Sequence, residues 1–320
     1  ALAHGELAWL AVMRKAFDAA ERHIALGLPW AREAAVQPWR EGGSVGYEHQ
    51  LRIIGIEVVL QQERWPATRA AVVEALESLP PTRRRERLSL LLLRLHSELA
   101  LGEIEPARRT AEEATASADS LDIVRLRADV ANAVADVAHA EGDLHVQERA
   151  AGLAAELAQG VAHAVALAQA RTHLGSVSLA RGESERARVL LGDARRQFEE
   201  QGMPHQALDT GSLLAELERV AGHRSASVEA ALAVLAAGRG DVGDDATEPW
   251  PLLGAAALLR CRAILVEEGH AHADTLRQVL ERRLQQQLAQ LPDAGARQRL
   301  LDGVPHWREA AALSNRRQSG

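Results

Sequence analysis

"ARGESERARVLLGDA", residues 180–194, sets Gly182 five residues before Ala187 and twelve before Ala194. Forty residues earlier, "AEGDLHVQERAAGLA" (140–154) carries Gly142 at the same place, and forty before that "ALGEIEPARRTAEEA" (100–114) carries Gly102. Forty residues later, "VAGHRSASVEAALAV" (220–234) carries Gly222. Even spacing of this kind marks an internal repeat. Within a unit, apolar residues recur at helical steps before the glycine (Leu174, Val177, Leu179, Ala180) and again after it (Ala187, Leu190, Leu191, Ala194). Each unit therefore reads as two helices joined by a tight turn. The glycine falls just past the first helix, where a left-handed residue closes the last turn. The alanines fall where the second helix crosses the first, because small side chains let the axes approach to about 8 Å.

This pattern resembles the tetratricopeptide repeat, through Leu174-Gly175, Gly182, Ala187 and Ala194 in one unit and Gly102, Ala107, Ala111 and Ala114 in another. Ile54-Gly55 with Ala67 and Ala71 match as well, with Gln62 at the place of the turn glycine. Gln147 stands at the first alanine position beside Gly142, Ala151 and Ala154, and Ser227 and Val234 flank Ala231 after Gly222. The resemblance covers roughly residues 48–290. The common repeat has about 34 residues, and the roughly six extra residues here amount to about 9 Å of additional helix per unit. Units of this length are similar to those in the C-terminal sensor regions of bacterial signal-transduction ATPases. The stretch "RQRLLDGVPHWREAAAL" (297–313) resembles the ending of the repeat region in LuxR-like transcription regulators, with Leu301 replacing a Phe-Leu pair and His306-Trp307 replacing an acidic residue.

The expected fold is all-α, a right-handed superhelical solenoid of antiparallel helix pairs with a 40-residue period. Because each hairpin leaves a face that only its neighbour can cover, residues 1–312 are expected to form one array. It comprises an N-terminal helical pair (1–47), broken at "GLP" (27–29) and ended by "EGGSVG" (41–46), then six hairpins (48–291) and capping helices (292–312). A polar tail (313–320) follows. A polar loop, Gly238 to Pro251, interrupts the period, so that the sixth hairpin turns at Gly269, 47 residues after Gly222.

Composition narrows the function. With 37 basic against 44 acidic residues and a net charge of -7, the chain lacks the basic excess of a nucleic-acid-binding domain. Aromatic content of 3% against 47% hydrophobic leaves Ala, Leu and Val to build the core, which favours helices. One cysteine, Cys261, excludes an internal disulfide, and no secretion signal is evident, so a cytoplasmic setting is expected. The longest apolar run, Leu252 to Leu259, is cut by Arg260 and falls short of the roughly 20 residues that cross a bilayer. The chain opens on Ala1 directly in helix-forming sequence, which suggests a piece of a longer protein. Trp9, Trp30, Trp39 and Trp65 crowd the first quarter and are expected in the core.

No stretch carries convincing catalytic chemistry. "GGSVG" (42–46) matches a hydrolase nucleophile elbow but has no strand before it, and reads as an inter-repeat loop. His270, His272 and Asp274 in "GHAHAD" are too closely spaced at a helix start to converge on one metal, and read as a solvated turn. Arg83, Arg84, Arg85 and Arg87 read as a solvated helix start rather than a nucleic-acid patch. The only lysine, Lys15, lacks the glycines of a phosphate loop, so no ATP hydrolysis is expected. Neither cofactor nor metal is expected.

What remains is a surface. In tetratricopeptide arrays the first helix of each pair lines a concave groove, and that register transfers to Asp129, Asn132, Asp136 and His139 in one unit. It gives Gln169, Thr172, Ser176 and Leu179 in the next, and Asp209, Ser212, Glu216 and Arg219 in the third. Preceding units offer Ile56, Val59, Leu92 and Leu99, so the groove is expected to pass from apolar to acidic. Such a groove suits a peptide, a protein or an amphipathic small inducer with a cationic group. His96, His139 and His173 lie on the same helices, where they read as ordinary partly buried side chains, the alternative being that they make binding sensitive to pH. The resemblance implies a non-catalytic binding module, the C-terminal sensor of a larger bacterial regulator that acts on upstream domains of the same polypeptide. The alternative is a constitutive scaffold for another protein.

Overall fold

The computed structural model of the protein describes residues 2–13, 16–35, 44–240 and 248–318. Every regular element among them is an α-helix. The chain divides into two compact units, residues 1–123 and 124–320. The first unit holds α1 (Leu2–Met13), α2 (Phe17–Ala35), α3 (Ser44–Gln61), α4 (Trp65–Ser78), α5 (Arg84–Ala100) and α6 (Ile104–Leu121). The second holds α7 (Val124–Glu141), α8 (Leu144–Gly160), α9 (Ala164–Ala180), α10 (Ser184–Glu200), α11 (Pro204–Val220), α12 (Arg224–Gly238), α13 (Ala255–Glu267), α14 (His272–Ala289), α15 (Ala294–Gly303) and α16 (Pro305–Gln318). Among the described residues no helix is long and apolar enough to cross a membrane.

The turn glycines behave as the sequence predicts. Gly102, Gly142, Gly182 and Gly222 have φ between 74° and 80°, and Gly269 has φ 64°. At Gly182 the closure is a Schellman turn, in which the Gly182 amide donates to the Leu179 carbonyl and the Glu183 amide to the Ser178 carbonyl, at 3.0 and 2.9 Å. The same left-handed conformation also recurs between hairpins, at Asp122, Ala162 and Gly202 (φ 51°, 51° and 66°). The 40-residue repeat is thus built from two near-equal halves, each a helix of 17 or 18 residues closed by one left-handed residue. Where Gln62 replaces the expected glycine, the left-handed residue is its neighbour Glu63 (φ 57°).

Small residues sit at the helix crossings. Ala107, Ala114, Ala151, Ala154, Ala187, Ala194 and Ala231 are fully buried. Gly175 goes further, since a β-carbon there would stand 2.7 Å from Cγ and Cδ2 of Leu191 on α10. Between α7, α8 and α9 the core is a ladder of alanine clusters, Ala128 with Ala158 and Ala166, then Ala131 with Ala154 and Ala170.

Four expectations change. Helix α2 does not break at "GLP" but runs through Pro29. Gly27 instead makes room for neighbours, because a β-carbon there would lie 3.0 Å from both His4 Cβ and Leu51 Cδ1. That packing holds the helix despite the lost amide of Pro29. "GGSVG" is not wholly a loop, since Ser44 already begins α3, while Gly42 and Gly43 lie outside the described residues. Residues 313–318 continue α16, with Trp307 and Ala310 buried in its first half. Trp9 and Trp30 are 46% and 62% exposed rather than core; Trp65 packs partly buried, and Trp39 lies outside the described residues.

The segment after α12 has its own anchor. Trp250 and Leu253 are 2% and 1% exposed, and the buried Arg283 of α14 donates to the carbonyls of Leu253 and Trp250 at 2.5 and 2.9 Å and pairs with Glu248. The end of the predicted loop is therefore part of the core.

Two glycine substitutions separate backbone strain from crowding. Gly182→Ala meets open space, so only its positive φ is penalised, at about 1 kcal/mol. Gly175→Val overpacks against Leu191 and is expected to cost about 2–3 kcal/mol. Thermal or guanidinium unfolding of the two variants should rank them in that order, and the reverse ranking would refute the close crossing at Gly175.

Candidate functional site

Helices α7, α9, α11 and α13 are the first members of successive pairs in the second unit, and the side chains predicted for the groove lie along the first three. What the structure brings together is a set of polar links from each helix to the next. Between α7 and α9, Asp129 Oδ1 lies 2.8 Å from His163 Nε2, and Asp136 Oδ1 lies 3.2 Å from His173 Nε2. Asn132 Nδ2 donates to the Ala166 carbonyl at 2.9 Å and approaches Gln169 Oε1 at 3.5 Å. Between α9 and α11 the hydroxyls of Thr172 and Thr210 meet at 3.4 Å. Between α11 and α13, Arg260 donates to Ser212 Oγ at 2.8 Å and to Asp209 Oδ1 at 2.5 Å. Arg219 bridges Glu216 on its own helix and Glu267 of α13 at 2.5 and 3.0 Å.

Two predicted contact residues are therefore too deep for direct contact. Asn132 is 4% exposed and Ser212 is fully buried, each consumed by a link between helices. Asp129, Asp136, Gln169, Thr172, Ser176, Asp209, Glu216 and Arg219 are half-buried or better placed, and His139 is exposed. Of its carboxylates, Glu216 and Asp209 pair with Arg219 and Arg260, while Asp129 and Asp136 face His163 and His173. Sequence register missed Arg260, since the 47-residue step to Gly269 displaced the following unit. The available signal was a lone arginine cutting the longest apolar run.

The apolar half of the expected groove falls in the first unit. There Ile56 is buried with Leu60, Val72, Leu79, Leu90 and Leu93, and Val59, Leu92 and Leu99 are half-buried. Arg83, Arg84 and Arg87 are engaged with Glu86, Ser120 and Glu113, so they fasten α5 to its surroundings. In "GHAHAD", His270 Nδ1 accepts from the His272 amide at 3.2 Å and the two rings lie 5.1 Å apart, a turn-closing arrangement.

Crowding by the surrounding protein lowers the pKa of His139 on α7, with His173 and Arg260 lowering it further against Asp136 and Gln147. Arg260 also acts on His306 at the start of α16, which packs on α13 and α14. Burial raises the pKa of Asp129, with His163 opposing, and pushes the Cys261 thiol up to about 12.

No protein-family model and no curated protein matches the chain. Solved structures do. A Rap protein complexed with Competence and Sporulation Factor aligns over 98% of this chain and 97% of its own, with 14% identity and a TM-score of 0.58. NprR in complex with its cognate peptide NprX aligns over 96% and 94%, with 9% identity and a TM-score of 0.55. BtubC from P. vanneervenii aligns over 79% and 92%, with 15% identity and a TM-score of 0.50. At such identities the likeness establishes the fold, a tetratricopeptide-like array of antiparallel helix pairs.

His306 offers a test of the packing of α16 on α13 and α14. Burial lowers its pKa to about 4, with the charge of Arg260 adding and Asp209 opposing. Between about pH 4 and the ordinary histidine value near 6.5, the folded chain binds fewer protons there than the unfolded chain. The contribution is therefore full above pH 6.5 and lost as pH falls towards 4. Wild type should lose on the order of 2 kcal/mol more than His306→Gln between pH 7.5 and 4.5 in denaturant unfolding. Equal losses would mean that His306 is solvated and α16 does not cover this end of the row.

Proposed function

We propose that the protein is a non-catalytic binding module whose second unit takes a short peptide along the inner face of α7, α9, α11 and α13. The observation that carries this reading is the run of half-buried polar side chains along successive first helices, Asp129 and Asp136 on α7, Gln169 and Thr172 on α9, Asp209 on α11 and Arg260 on α13, around the exposed His139. A peptide supplies alternating donors and acceptors along an extended backbone, which suits a wall where acids and bases alternate. The expectation of a simply cationic ligand is replaced by one of a neutral or zwitterionic chain. Two of the solved structures that share the fold hold, by their descriptions, a signalling factor and a cognate peptide, which supports the class of ligand.

The same reading places the module as the sensor part of a larger bacterial signalling or transcription regulator, in which the peptide favours one curvature of the row over another. Such a shift requires that the peptide bind the two curvatures with different affinity. The links at Asp129, Asp136 and Arg260 are the contacts that differ between them.

The test is selection from a synthetic library of peptides of roughly five to ten residues, followed by titration of the enriched sequences. Micromolar affinity is expected, reduced about tenfold by His139→Ala and by Asp136→Asn, a loss of about 1.4 kcal/mol. If no peptide is enriched while a folded protein binds with the same dependence on His139, the module is a constitutive scaffold. If neither binds, the inner face is not a site.

A further inference from the structure

A cavity of about 480 Å³ opens in the first unit, over α5 and between α4 and α6. Arg69 and Val73 of α4, Arg94 and Glu98 of α5, and Glu103, Pro106, Arg109, Thr110 and Glu113 at and after the start of α6 line it. Its size lies in the lower part of the range of small-molecule sites, roughly 300–1,000 Å³.

Hydrogen-bonding capacity in the cavity is unbalanced. The carboxylate of Glu98, 2% exposed, has both oxygens taken, one by Arg94 Nε at 2.8 Å and the other by the Thr110 hydroxyl at 2.7 Å. Both oxygens of Glu103 take Arg69 Nη1 at 2.7 Å. Glu113 is neutralised by Arg87 at 3.0 Å from outside the cavity. A guanidinium carries five N–H donors. Arg69 therefore keeps its Nε and Nη2, Arg94 keeps both Nη groups, and Arg109 makes no ion pair among the described residues. Glu98 and Glu103 have both oxygens engaged and Glu113 one, while most of the guanidinium donors have no partner among the described residues.

We infer that this cavity binds a small phosphate monoester. Three guanidiniums with free donors line one space, and a tetrahedral oxyanion presents oxygens in three directions where a planar carboxylate presents two. Glu98 fixes Arg94 from below, so one arm of the site is preorganised at the expense of a buried, fully bonded carboxylate. Val73, 42% exposed, and Pro106 supply an apolar wall for the organic part of the ester.

The experiment is calorimetric titration of the whole chain, at low ionic strength, with phenyl phosphate, inorganic phosphate, benzoate and phenol. Phenyl phosphate should bind once per chain with a dissociation constant of about 0.1 mM, inorganic phosphate about tenfold more weakly, and phenol without measurable heat. Arg109→Gln, which breaks no hydrogen bond and removes only a minor charge interaction with the exposed Glu105, should weaken phenyl phosphate at least about tenfold with little change in the thermal midpoint. Arg196→Gln, which neutralises an exposed arginine on α10, should leave binding unchanged. Absence of saturable binding up to about 10 mM, tighter binding of benzoate than of phenyl phosphate, or equal weakening by Arg196→Gln would each overturn the assignment. Because the cavity and the inner face lie in different units, neither result depends on whether a peptide binds.

Discussion

The closing of each helix by one left-handed residue is the constraint on which the rest depends. It fixes the helix length, and the length fixes which residues of one helix can lie beside which of the next. With a turn near every twentieth residue, the crossing points recur at the same depth, and small residues can be placed there once for every unit. Gly175 against Leu191 shows how narrow that tolerance is. A core made of alanine has few large side chains to adjust when a helix shifts, so the regularity of the turns substitutes for the adaptability of a larger core.

The hairpins were legible in the sequence because glycine reports a left-handed turn directly. The turns between hairpins escaped, since Asp122 and Ala162 adopt the same conformation without a residue type that announces it, and Gly202 stands outside the 40-residue glycine series. Aspartate does so at modest strain, and alanine is held there by the helices on either side. Proline misled in the opposite direction. Pro29 suggests a break, yet tertiary packing around Gly27 keeps α2 continuous. The anchoring arginines Arg260 and Arg283 were hidden for a different reason, since their partners lie 48 or 51 and 30–35 residues away, distances that no local period relates.

The groove residues were placed by register, and their chemistry was only partly readable. A polar side chain on an inner helix serves either a ligand or the next helix, and sequence does not distinguish the two. Asn132 and Ser212 serve the next helix. Asp136 and Asp209 are bonded to His173 and Arg260 and stay half-buried. On the proposed reading, a ligand that engages Asp209 competes with Arg260 for the same oxygen, so that binding is coupled to the packing of α13 on α11.

The buried thiol of Cys261 has a practical meaning for work on this chain. Held in the core of α13 and pushed far above neutral pH in its ionisation, it is nearly silent towards alkylating reagents. With no other cysteine present, the natural chain already serves as its own unreactive background. Cysteines introduced together at His139 and Ser176 would carry the only two spectroscopic labels, and the distance between them would report how α7 and α9 sit in solution.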